Sequence, residues 1–104
     1  MFVKTEKTPN PNSLKFLPEM RVSNDGPIEI TNKSKSDNEL IRNILSVNGV
    51  TGIFLAKDFL SVNKNEKIEW EELKHIIISF INDYYSKGNN IIIDSKKEKD
   101  SNKN

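Results

Sequence analysis

The stretch VTGIFLAKDFLSVN, residues 50 to 63, constrains the fold of this chain more than any other. Two runs rich in β-branched and aromatic residues flank the short polar Ala56-Lys57-Asp58, which is the pattern of two strands joined by a tight turn. Nearly every position from Ile53 to Leu55 is apolar, so the first of these strands is expected to lie centrally, covered on both faces.

Helical stripes supply the cover. From Glu69 to about Ser86, Trp70, Leu73, Ile77, Phe80 and Tyr84 recur at intervals of three and four, and Ile76 and Ile81 widen the stripe. Glu69, Glu71 and Glu72 sit at the positive end of this helix, and Lys87-Gly88 ends it. Tyr84 and Tyr85 are adjacent, so the helical period turns only one of them inward. A shorter helix is predicted after Ser36, read as the N-cap with Glu39 three residues later, and it carries Leu40, Ile41, Ile44 and Leu45 on one face. Asn48-Gly49 is its expected stop.

Near the start, TPNPNSLKF at residues 8 to 16 packs two prolines and two asparagines between alternating segments at 2–7 and 13–17. Two strands joined by a stiff corner fit this pattern, because each proline fixes its own φ and pushes the preceding residue toward extended geometry. Residues 19–36 read as a polar loop with one weak edge strand at Ile28 and Ile30, Ile91 to Ile93 as a last short strand, and 94–104 as a disordered polar tail or linker. The predicted architecture is α+β: a single domain over 1–93, built as an antiparallel sheet with both helices packed on one face.

Sixteen basic against fifteen acidic side chains give a net charge of +1, so no field collects phosphates or anionic lipid. Nucleic acid and membrane are therefore not expected partners, and no targeting leader or membrane span is evident. A cytoplasmic bacterial protein is the simplest expectation, with its excess of lysine, asparagine and isoleucine. Cysteine is absent from all 104 residues, which removes disulfides, thiolate nucleophiles and thiolate ligands for zinc or iron-sulfur clusters. Catalytic groups are sparse. His75 is the single histidine, at the edge of the helical stripe; Glu71-Glu72 is explained by its place at a helix start; Asn24-Asp25-Gly26 is a fragment of a cation-binding loop that serves a turn equally well. The aromatics Phe2, Phe16, Phe54, Phe59, Trp70 and Phe80 are expected in the core. The exposed tip Asn10, Pro11 and Asn12 is the candidate protein-contact loop, since stiff loops lose little entropy on docking.

TEKTPNPNSLKF, then GVTGIFLAKDFLSVNK, then Trp70 opening a long helix that ends SKG, is a set of motifs in an order that resembles the N-terminal domain of the Nfu (NifU-like) iron-sulfur cluster scaffold and carrier proteins. The resemblance spans residues 1 to about 93. It implies an α+β domain and a part in cluster delivery to apo-enzymes, with the cluster held by a CxxC pair on a separate C-terminal domain. No CxxC occurs here, and 21–36 is shorter and more polar than the family pattern. The expected function is thus a non-catalytic module acting by contact with client apo-proteins or with a cluster-bearing domain, with no cofactor on this chain. Either the natural chain continues past a linker or the domain stands alone. The alternative is a small iron-binding protein or enzyme using His75 and nearby acidic residues.

Overall fold

The computed structural model describes residues 2–94. Its order is β1 (Lys4–Lys7), β2 (Ser13–Leu17), β3 (Ile28–Ile30), a short 3-10 turn (Lys33–Lys35), α1 (Glu39–Leu45), β4 (Val50–Leu55), β5 (Leu60–Lys64) and α2 (Trp70–Ser86). The five strands form one antiparallel sheet in the order β1-β2-β5-β4-β3, and the two helices cover one face of it. The fold class is therefore as the sequence indicates, a helix-covered antiparallel sheet. No described helix is long and apolar enough to cross a membrane. The tail expected over 94–104 lies, from residue 95 on, outside the described residues.

Register explains which side chains enter the core. Leu14 faces Val62, Phe16 faces Leu60, Ile53 faces Val62 and Leu55 faces Leu60, so successive strands send the same apolar row toward the helices. These six residues are buried, together with Leu40, Ile41 and Ile44 of α1 and Leu73, Ile77 and Ile81 of α2. The alternate row faces away from the helices: Glu6, Lys15, Ser61, Phe54 and Glu29 lie opposite one another across the whole sheet.

Several expectations change at this point. The middle strand is β5, and β4 lies one place in from the edge, so only the helix side of Ile53 to Leu55 is layered. Phe54 instead packs its ring 6.4 Å from that of Phe59, and the Lys15 ammonium sits 4.1 Å over the Phe59 ring. Phe16 is fully buried, Phe2 is 68 % exposed, and Ile76, placed by its spacing on the stripe, is 37 % exposed. The cap of α1 is Asn38, whose Oδ1 accepts the Ile41 N–H at 3.0 Å, while Ser36 Oγ accepts the Asn38 N–H at 3.1 Å just before it. Asn38 wins because its amide also donates to the Tyr84 hydroxyl at 3.0 Å and the Ile92 carbonyl at 3.2 Å. The helix ends at Leu45 rather than at Asn48, and Gly49 takes φ 98° in the turn that follows.

Tyr84 and Tyr85 are both buried, against the helical period. Their rings meet edge to face at 5.3 Å; the Tyr84 hydroxyl donates to the Ile91 carbonyl at 2.7 Å and the Tyr85 hydroxyl to the Arg21 carbonyl at 2.9 Å. Burial pushes both phenols above their ordinary pKa. What covers the second side of the helix is a pair of chain segments. Val22, fully buried, accepts the Ile92 and Ile93 N–H groups at 3.1 and 3.0 Å, and Ser23 and Ile93 form a single parallel bridge. This bridge is all that remains of the last strand expected at 91–93.

Candidate contact site

The corner at residues 8–12 is fixed from within. Thr8 Oγ1 lies 2.8 Å from the Asn10 carbonyl and 3.0 Å from that of Ser13, and it accepts the Asn10 N–H at 3.2 Å. Asn10 Oδ1 accepts the Asn12 N–H at 2.9 Å, the side-chain turn that asparagine makes well, and the Ser13 N–H closes on the Asn10 carbonyl at 3.0 Å.

The corner is also fastened from outside, and the sequence shows none of this. Trp70 opens α2, and its indole N–H donates to the Pro11 carbonyl at 3.0 Å across 59 residues of chain. Its ring stands edge-on to Phe16 at 6.4 Å. Lys64, only 8 % exposed, donates through Nζ to Asn12 Oδ1 at 3.1 Å and to the Asn65 carbonyl at 3.2 Å, with the Trp70 ring 5.6 Å away. A nearly buried ammonium needs such acceptors, because leaving it unsatisfied is expensive. The start of α2 is held by a reciprocal bond pair in which the Glu69 backbone N–H donates to Glu72 Oε2 at 3.1 Å and the Glu69 side chain accepts from the Glu72 backbone.

Between corner and helix lies an open cleft of about 560 Å³, lined chiefly by Thr5, Lys7, Pro9, Pro11, Trp70 and Lys74. Of the candidate contact residues, Asn10 and Pro11 line it and are exposed, whereas Asn12 turns its side chain toward Lys64. His75 is exposed on α2, and no three His, Asp or Glu side chains among the described residues come together to hold a metal ion. Arg21 Nη1 donates to Asn24 Oδ1 at 3.3 Å, and Ser23 Oγ accepts the Asp25 N–H at 3.1 Å, so the segment at 24–26 is bonded as a turn. Sequence reasoning placed Trp70 in the core and gave Lys64 no role; the one available signal was an isolated tryptophan in the first turn of a helix, where part of its ring stays accessible.

A stability test separates these roles. Asn12→Ala removes the Lys64 acceptor and is expected to lower stability by about 1.5 to 3 kcal/mol, as for hydrogen bonds to charged groups. In a double-mutant cycle with Lys64→Met, measured by urea unfolding, most of that loss is expected to vanish; strictly additive effects would show the two side chains to be uncoupled.

The sequence pattern described as "Scaffold protein Nfu/NifU N terminal" matches residues 3–88. The chain belongs to this family. Among curated proteins it is 36% identical to the NifU-like protein 4, mitochondrial, of Arabidopsis thaliana over 97 residues, covering 92% of this chain and 34% of that one. It is 37% identical to the NFU1 iron-sulfur cluster scaffold homolog, mitochondrial, of Homo sapiens over 90 residues, covering 85% of this chain and 35% of that protein. This Nfu-family chain thus spans about a third of the length of the curated relatives it matches. Among solved structures, the NifU-like protein of Saccharomyces cerevisiae superposes with a TM-score of 0.79 at 28% identity, over 88% of this chain and 83% of that one. A Staphylococcus aureus protein superposes at 0.66 with 30% identity, over 77% and 98%.

The cytoplasmic placement expected from the sequence is corrected by these relatives, since the plant, fly and human proteins are named mitochondrial. The expectation rested on the first residues and on body composition, and the Nfu fold carries no address in either. Plant, animal, yeast and staphylococcal matches likewise leave the compositional argument for a bacterial source without support.

Proposed function

We propose that this chain is a non-catalytic contact module in iron-sulfur cluster assembly and delivery. It presents a surface to apo-proteins that receive clusters, or to a domain that carries one, while another domain or protein holds the cluster as cargo. The observation that carries this reading is the cleft between the 8–12 corner and Trp70. Its walls are fixed before any partner arrives, so docking there costs little ordering entropy. Relatives named as cluster scaffold proteins supply the biological setting.

The donor set does not fit a cluster. Thiolates are the ordinary ligands of such clusters, and this chain has none to offer; its single histidine is exposed and without a grouped set of carboxylates among the described residues. What its own residues do at the cleft is present an aromatic edge, two prolines and fixed polar groups, the usual means of specific protein contact.

Anaerobic incubation of the 104-residue chain with ferrous iron and sulfide, followed by desalting, tests this. The protein fraction is expected to emerge without visible absorbance. A stable chromophore on the chain would overturn the reading, and its loss in His75→Ala would hand the function to the histidine-based alternative.

A further inference from the structure

The sheet ends on β1, whose outer edge pairs with nothing among the described residues. Four consecutive residues there offer unpaired backbone donors and acceptors to any strand that can lie alongside. The 560 Å³ cleft runs onto this edge through Thr5 and Lys7. A second hollow of about 370 Å³, lined by Phe2, Val3, Lys4, Thr5, Lys74 and Ile78, adjoins it. Thr5 and Lys74 belong to both, so the two form one groove with β1 as one wall and α2 as the other.

The charges along the groove are mostly of one sign. Lys4, Lys7 and Lys74 line it, and none of the three takes part in an ion pair among the described residues. Glu6 is turned to the other face of the sheet, 3.7 Å from Lys15, and Glu69 is engaged in the helix cap. Glu71 remains, at one end.

We propose that this groove takes an extended acidic segment of a partner protein, added as a further strand against β1 with alternate side chains packed toward α2. The proposal deepens the contact-module reading and rests on it for biological setting. A second copy of the chain is a poor occupant: antiparallel pairing of the full Lys4–Lys7 edge with itself sets Lys4 against Lys7 twice, and like charges directly opposite repel. The chain's own residues 94–104 carry four lysines against three carboxylates and so do not complement the groove. The opposite edge of the sheet, β3, is three residues long and presents Glu29. Edge lysines commonly guard a sheet against self-association, and the same charges that repel a copy attract an acidic strand.

The test is an NMR titration of the 15N-labelled chain with a blocked hexapeptide of alternating glutamate and valine. Two controls run beside it: the same peptide with lysine for glutamate, and a peptide of equal charge with proline for valine, which cannot donate to a strand ladder. The acidic strand peptide is expected to shift the amides of residues 4–7, to slow hydrogen exchange at alternate amides there, and to lose affinity by about tenfold in the Lys4→Glu, Lys7→Glu double variant. Neither control is expected to do so. No shifts at millimolar peptide overturn the proposal, as does an equal response to the proline peptide, perturbation confined to Trp70 and residues 8–12, or self-association through β1. A chain that retained a cluster yet bound the peptide would overturn the contact-module reading and leave the groove standing. A colourless chain indifferent to the peptide would do the reverse.

Discussion

Gly49→Ala is expected to destabilise the protein by about 3 kcal/mol, as measured by urea unfolding. Two effects combine. The residue sits at φ 98°, where a Cβ meets the following carbonyl and costs roughly 1 to 2 kcal/mol. The added methyl would also drive into Ile68, overlapping Cδ1 and lying 3.1 Å from Cγ1 and 3.4 Å from Cβ. Rotating the end of the isoleucine relieves only part of this, since its inner atoms are held by the backbone, and overpacking of this kind costs about 1 to 3 kcal/mol. Gly88 serves as the internal control, because it has φ 101° and a methyl added there would meet no atom within 4 Å, so Gly88→Ala should show the backbone cost alone. In the Ile68→Ala background the excess at Gly49 should disappear. Equal losses at Gly49 and Gly88 would mean that the contact with Ile68 is not felt.

Asn38→Ala is expected to cost about 2 to 3 kcal/mol, whereas Ser36→Ala should cost well under half as much. The asymmetry follows from what each side chain joins. Asn38 caps α1, worth about 1 kcal/mol at such positions, and its amide ties that cap to Tyr84 and to the Ile92 carbonyl. Alanine leaves the part-buried Ile92 carbonyl without this donor, and an unsatisfied group costs about 1 kcal/mol or more. Ser36 makes one local bond in front of the helix. Asn38→Asp keeps an oxygen for the cap and removes both amide donations, so its loss reports the tertiary bonds alone. A larger effect at Ser36 than at Asn38 would reinstate serine as the functional cap.

These two positions also show how far a sequence can be read. Hairpin and long helix were legible because the physical signal is local: period two on either side of Ala56-Lys57-Asp58, and intervals of three and four from Leu73 to Ile81. Ser36 and Asn38 are both good caps by residue type, and the choice between them is made by Tyr84, 46 residues away. Tyr85 is buried for the same reason, since Val22 and Ile92 supply a second apolar wall that no helical wheel contains. Phe54 and Phe59 illustrate the reverse case, in which an apolar residue stays on the open sheet face because an ammonium and another ring give it partial cover. At the contact site, the stiffness of Asn10-Pro11-Asn12 could be inferred from proline and asparagine alone. Its attachment to Trp70 and Lys64 could not, because both partners arrive from separate elements after the sheet has closed.

The clamp of Val22 and Ser23 on Ile92 and Ile93 fixes where the backbone leaves the folded body. That exit is beside the carboxyl end of α2, whose 17 residues put roughly 25 Å between it and the Trp70 end. An attached body would need a leash of about eight extended residues to come round to the cleft. With a shorter tether, the two ends of the helix work at separate stations, one for covalent neighbours and one for visitors.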